Sequence, residues 1–455
     1  MRDLIIALLI LSTLPAAFRR PFVGLCVFSW LAYMRPQDLC WGFARSLRLS
    51  FLAGITMMAG YFAFEFGKRS FTRSTGRGWL MIGVLVCVTA SLFVAYEVDE
   101  YVMTYYSEFV KIIAIALFTI GQVDTKQRLR AVLWIIALSL GFYGVKGGLW
   151  GVMTGGVIKQ GPGGMMGDNN DFALAMVMNL PILFYMSSLE TNRILKLVVK
   201  AMFFFSCVTI LLTHSRGGFL SMVIVFMVLA WRSGKLFQAG FALSAAAVAF
   251  LLFAPDHVLA RLGTLEQGGQ ESSAGARLKS WTVALRIIKA RPLLGVGLRN
   301  FQAGYEEFGS EFLAPGIEGH VAHNSYLQIW AEHGTFAITL YMMLLISMFL
   351  GAQKLRRMAR GRPDLAWAET YARMFEATNA GFMFGAFFLN RGHFDLTYHL
   401  FALMTCALYV TRKHYAAGPS GEDSEGVPMQ TGAGPIRVAF RRTVPTGLPR
   451  WGRVP

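Results

Sequence analysis

The chain has 455 residues, with 43 Lys and Arg against 26 Asp and Glu, a formal net charge of +17. Hydrophobic residues make up 55% and charged residues 15%, and mean hydropathy is +0.48. Soluble domains carry about 25% charge, so this composition argues against a soluble cytosolic enzyme and for an all-α polytopic membrane protein. In such a chain a positive surplus sets topology, whereas a nucleic-acid partner would need the basic residues gathered in one soluble segment.

A bilayer core of about 30 Å needs about 20 apolar residues of helix. In chain order, segments of that kind are predicted near 48–66, 78–95, 107–122, 129–149, 171–188, 194–213, 217–232, 235–254, 324–350, 373–389 and 396–411. Ahead of them, residues 3–18 and 21–34 are apolar but short, and Arg19-Arg20-Pro21 divides them. They read as one broken crossing, a re-entrant pair or two thin spans, for 12 or 13 crossings in all. The opening resembles a signal peptide, but a chain this rich in later spans is expected to keep it as its first helix.

Charge orders the connections. Residues 67–77 carry Lys68, Arg69, Arg73 and Arg77 without an acid; 123–130 carry Lys126, Arg128 and Arg130; 351–373 carry Lys354, Arg356, Arg357, Arg360 and Arg362. Alternate connections are acidic (Glu97, Asp99, Glu100, Glu108) or Gly-rich (151–170). The positive-inside rule places the first set in the cytoplasm. The division that follows is an N-terminal bundle over 1–254, a non-cytoplasmic insert over 255–322, C-terminal spans over 323–411 and a disordered cytoplasmic tail over 412–455. In the insert seven basic and seven acidic residues cancel, and Leu278, Trp281, Leu285 and Ile288 recur at helical spacing. That spacing predicts an amphipathic helix lying on the membrane or capping a cavity. Cys26, Cys87, Cys207 and Cys406 lie in apolar runs and Cys40 in a short connection, so neither a disulfide framework nor a structural metal site is expected.

Chemistry-bearing residues fall in four places on the non-cytoplasmic face. In Thr213-His214-Ser215-Arg216-Gly217-Gly218 an arginine is held at a membrane boundary by a tight turn, which is costly without a function. The blander alternative is a side chain reaching lipid headgroups. Arg277 sits near the start of the amphipathic helix, which runs on to Arg291-Pro292-Leu293-Leu294-Gly295-Val296-Gly297. His320-Val321-Ala322-His323-Asn324-Ser325-Tyr326-Leu327 stands at the mouth of a span, where a histidine can act as a general base. The loop Gly161-Pro162-Gly163-Gly164-Met165-Met166-Gly167-Asp168-Asn169-Asn170 is glycine-rich and reads as flexible, without a nucleotide-binding fingerprint. Two arginines and a histidine converging on one external cavity suit a lipid-linked diphosphate: guanidinium forks grip its oxygens and a neutral imidazole deprotonates an incoming hydroxyl.

The ordered set His214-Ser215-Arg216-Gly217-Gly218, Ala276-Arg277 with Trp281, Arg291–Gly297 and His323-Asn324-Ser325-Tyr326-Leu327 resembles the O-antigen ligase and polysaccharide polymerase superfamily, over about residues 60 to 410. The N-terminal stretch and Asp168-Asn169-Asn170 look like its branch of O-glycosylation ligases associated with exosortase systems. The resemblance implies an inverting, metal-independent glycosyltransferase of the GT-C kind in a bacterial inner membrane, working at the periplasmic face without a cofactor. It implies an undecaprenyl-diphosphate-linked glycan as donor and a lipid A–core sugar hydroxyl as acceptor. Arg216 and Arg277 would neutralise the diphosphate and His323 would activate the acceptor. Asn324 would orient that histidine, and His320, Asp168, Asn169, His214 and Ser215 are further binding candidates. A polymerase or a protein O-glycosylation ligase would use the same site. A lipid-linked oligosaccharide flippase is the reading from another class, and a structural scaffold leaves Arg216 unexplained.

Overall fold

A computed structural model describes residues 2–164, 166–234, 273–313 and 320–418. Helices α1 (Arg2–Arg19) and α2 (Pro21–Met34) come first. They do not continue one another as a single broken crossing but lie side by side as a hairpin. The Asp3 carboxylate in the first turn of α1 accepts from the backbone N–H groups of Gly42 and Ala44, just beyond the end of α2, both at 3.0 Å. Charged residues are cheap at a membrane end and costly midway, so Arg19-Arg20-Pro21 forms the turn.

Helices α3 (Leu49–Gly60, prolonged by a π turn at Tyr61–Glu65), α4 (Gly76–Ser91), α5 (Glu100–Gln122), α6 (Lys126–Thr154), α7 (Asn169–Leu189), α8 (Arg193–Leu212) and α9 (Arg216–Ser233) follow the predicted apolar segments. Side-chain caps fix several starts: Thr75, Asp99 and Thr125 accept from the N–H groups of Gly78, Val102 and Arg128. The predicted flexible loop instead forms a small antiparallel ribbon, β1 (Gln160–Gly163) with β2 (Met166–Asp168). Helix α7 is the centre of the bundle, surrounded by its neighbours, with 83% of its apolar stretch buried. Helix α8, only 22% buried over its apolar stretch, has the exposed apolar surface expected of a helix facing lipid. It approaches α6 at glycines: a Cβ at Gly144 would collide with Ser206, and one at Gly151 with Leu212.

Beyond the insert's start come α10 (Ser273–Ala290), α11 (Gly304–Phe308), α12 (Ser325–Ala359), α13 (Ala366–Ala386) and α14 (Asp395–Ala417). Among the described residues, seven helices are long and apolar enough to cross a membrane: Gly76–Val94, Glu100–Gln122, Lys126–Thr154, Asn169–Leu189, Arg193–Leu212, Arg216–Ser233 and Ser325–Ala359. A total of 12 or 13 would need the shorter and more polar helices as well. The predicted span at 235–254, residues 255–272 of the insert and residues 419–455 of the tail lie outside the described residues.

The predicted amphipathic helix forms as α10, but it buries a different face. Leu278 and Leu285 are exposed, while Ser280, Val283, Ala284, Ile287 and Ile288 are buried. That stripe joins Val296, Phe301, Tyr305, Ala322 and Ala331 in a small core belonging to the insert and the first turns of α12. The Arg291–Gly297 motif docks this core by backbone bonds. Gly334 interrupts α12 with φ +81°, a conformation that favours glycine. The backbone groups released there find partners in the motif: Val296 N–H donates to Ala331 O (3.0 Å), Gly297 N–H to Glu332 O (2.9 Å) and Thr335 N–H to Pro292 O (2.8 Å). No polar backbone group need be left unpaired at the kink.

The opposite end of the bundle gathers the basic connections. Arg69 pairs with Asp124 at 3.0 Å, Arg130 with Glu190 at 2.9 Å, and Glu376 of α13 receives both Arg232 of α9 and Arg356 of α12.

Candidate active site

Three helix starts, each closed by a polar side chain, meet at the end of the bundle that carries the insert. Asp168 caps α7, its carboxylate accepting from Asn170 and Asp171 N–H at 2.8 Å. Ser215 caps α9 by accepting from Gly218 N–H at 3.1 Å. Asn324 caps α12, its carboxamide oxygen accepting from Tyr326 (3.0 Å) and Leu327 (3.1 Å) N–H. Helix starts present unpaired N–H groups and a positive dipole end, which suits an anion.

Side chains lock these starts together. Asn169 donates to Thr213 O at 2.9 Å and the Ser215 hydroxyl to Asn170 Oδ1 at 2.8 Å, zipping the α7 start to the α8–α9 turn. Arg391, in the α13–α14 connection, grips the buried Asp171 carboxylate with two guanidinium nitrogens. Its own N–H donates to Ser325 Oγ at 2.8 Å, and that hydroxyl donates to Leu389 O at 2.6 Å. The starts of α7 and α12 are thereby tied through one loop.

His323 stands just before the α12 cap with φ +47°, unusual for a non-glycine residue. Both sides of its peptide neighbour are held: Trp281 of α10 donates to Ala322 O at 2.9 Å, and Ala322 N–H donates to Gln328 Oε1 at 2.9 Å. Trp281 also packs edge-on against Phe387, centroids 5.4 Å apart, and this contact brings α10, with Arg277, over the site.

The charges form one coupled group. Burial holds the half-buried His323 below its ordinary value, the Arg277 cation and His320 lower it further, and Asp168 opposes them. Burial also lowers Arg277, helped by the charge of Arg216. Among the described residues, the ion pairs of this face engage Arg35, Arg286, Arg291 and Arg391, and neither Arg216 nor Arg277 takes part in them. The result is a concentration of positive charge beside a neutral imidazole: a site able to hold a multivalent anion and take one proton.

The structure thus brings Arg216, Arg277, His323, His320 and Asp168 into one electrostatic neighbourhood, with Ser215 and Asn169 as the ties between loops. His214 occupies the same turn with φ +54°. The Asn324 oxygen caps the helix that follows His323. Asp171, Asn170, Gln328 and Arg391 were not among the predicted site residues. Arg391 had a visible signal, being an arginine in a short connection on the face where topology does not call for one.

Residues 201–342 match the family model described as O-antigen ligase. Residues 1–191 match a family of unknown function (DUF5935). No curated protein matches the chain. The ligase match spans Arg216, Arg277 and His323, whereas Asp168 and Asn169 fall within the other. Over residues 201–342, set in a helical membrane architecture, the chain is thus similar to the O-antigen ligase family.

Proposed function

We propose that the chain transfers a glycan from undecaprenyl diphosphate to an acceptor hydroxyl at the periplasmic face of a bacterial inner membrane. The family match carries an O-antigen ligase- or polymerase-type function, with a lipid-linked glycan donor and a glycan acceptor in general. The observation that supports the finer reading is the pair Arg216 and Arg277, coupled to each other and to a histidine kept neutral, beside three helix N-termini.

In this reading the two guanidinium groups hold the diphosphate, whose charge grows as it leaves. His323 accepts the proton of the acceptor hydroxyl, and the oxygen attacks the anomeric carbon from the side away from the diphosphate. One carbon–oxygen bond forms, the bond to the phosphate oxygen breaks, and the sugar carbon is inverted. The charge stabilisation comes from the arginines, without a metal or other cofactor. The basic ends gathered on the opposite face of the bundle support placing the site outside the cytoplasm and the C-terminus inside it.

The acceptor distinguishes a ligase for lipid A–core, the favoured reading, from a polymerase or a protein O-glycosylation ligase. The test is transfer from a defined lipid-linked donor in membranes, with and without lipid A–core. His323→Ala is expected to abolish product while leaving the protein folded. Full activity in that variant would overturn the base assignment, and transport of labelled donor without bond formation would favour a flippase.

A further inference from the structure

The far end of α12 carries a feature that glycan transfer does not use. Leu350, Gln353, Lys354, Arg357 and Met358 share one face of α12 and, with Tyr415 of α14, line a groove of about 520 Å³. Gln353, Lys354 and Arg357 are exposed, and Leu350 and Tyr415 also present apolar surface outward. Among the described residues, Lys354 and Arg357 enter no ion pair, although nearby Arg356 and Arg362 are taken up by Glu376 and Asp364. Arg362 lies over the Tyr415 ring at 5.2 Å and holds one of the residues that line the groove.

We propose that this groove binds an anionic phospholipid, with Lys354 and Arg357 on its phosphodiester and an acyl chain against Leu350. Three observations carry it. The two cations sit one turn apart and converge on the same groove. An exposed leucine lies one turn deeper along a helix apolar enough to cross the membrane, where lipid tails and not water would meet it. The groove is at the end of α12 away from His323, with the other basic connections, where anionic headgroups attract Lys and Arg. A soluble phosphate would satisfy the cations but not the apolar wall. The acidic stretch Glu422-Asp423-Ser424-Glu425 of the chain's own tail is the competing occupant, matching the charge but not Leu350.

The experiment is native mass spectrometry of the full chain released from detergent with dioleoyl phosphatidylglycerol or dioleoyl phosphatidylcholine. The intact protein is expected to retain phosphatidylglycerol preferentially. Because each basic residue near an anionic surface is worth roughly fivefold, K354Q/R357Q is expected to lose about tenfold or more of that retention. The control K196Q/K200Q, removing two lysines of α8, is expected to keep it. Equal retention in K354Q/R357Q, or equal loss in the control, overturns the site. Displacement of the lipid by glycerol phosphate would assign the groove to a soluble phosphate instead. Phosphatidylglycerol retained no better than phosphatidylcholine until E422Q/D423N/E425Q is introduced would assign it to the tail. Each of these last two results also overturns the proposal.

Discussion

A histidine that is to take a proton near neutral pH must be uncharged there, and His323 is arranged for that by burial and by Arg277. Transfer should therefore hold at neutral pH and fall as the pH drops through a point below 6.5, the ordinary histidine value. Asp168→Asn offers a clean test, because Asn caps a helix about as well as Asp while losing the charge that raises His323. The acid limb of the rate profile should move to lower pH in that variant; a limb that stays or moves up contradicts the coupling. Arg216 occupies the first turn of α9, where the helix dipole disfavours a cation. Its oddity was legible from topology alone, and the same reasoning extends to Arg391. The Asn324 cap was not legible, because a cap is decided by backbone dihedrals that sequence does not display.

Helices and their docking explain why these side chains stay in place. The Arg391–Asp171 pair joins the α13–α14 connection to α7, with the Asp171 side chain only 4% exposed. Removing one member leaves a buried charge unpaired, so Arg391→Leu should cost about 3–5 kcal/mol of stability. The double variant Arg391→Leu with Asp171→Leu should recover most of that loss, as measured by thermal unfolding in detergent. If the double variant loses as much as the single, the pair is not the tie between these elements. The kink of α12 makes a second prediction. A side chain at Gly334 would adopt a disfavoured dihedral and strike Leu293 O. Gly334→Ala should cost about 1–3 kcal/mol and slow transfer by loosening the insert that carries Arg277. Unchanged stability and rate would show that the insert is held by other contacts.

The spans at α4 to α9 and at α12 were readable because a long apolar run can do little else in a membrane. The buried face of α10 was not, because its partners are the insert and α12. Ser280 and Ala284 lie in the stripe that packs, and small residues leave little mark on hydropathy. Nor could the sequence distinguish a broken crossing from the α1–α2 hairpin, since both place Arg19-Arg20-Pro21 at a break.

Across the membrane the two ends of the bundle differ in how their charge is met. At the end away from the insert, Arg69, Arg130, Arg232 and Arg356 are met by Asp124, Glu190 and Glu376, while Lys354 and Arg357 face the groove. At the insert's end, Arg216 and Arg277 take no part in the described ion pairs, and the surplus that matters to function is concentrated there. The central claim is that this pair holds the donor's diphosphate while His323 acts only in the chemical step. It is tested most directly by equilibrium binding of undecaprenyl diphosphate to the purified protein and its variants. Hydrogen bonds to charged groups are worth about 1.5–3 kcal/mol, so Arg216→Gln and Arg277→Gln should each weaken binding roughly ten- to hundredfold. His323→Ala should bind as the unmodified protein does while transferring no glycan. Undiminished binding in both arginine variants, or binding lost in His323→Ala alone, would contradict the account.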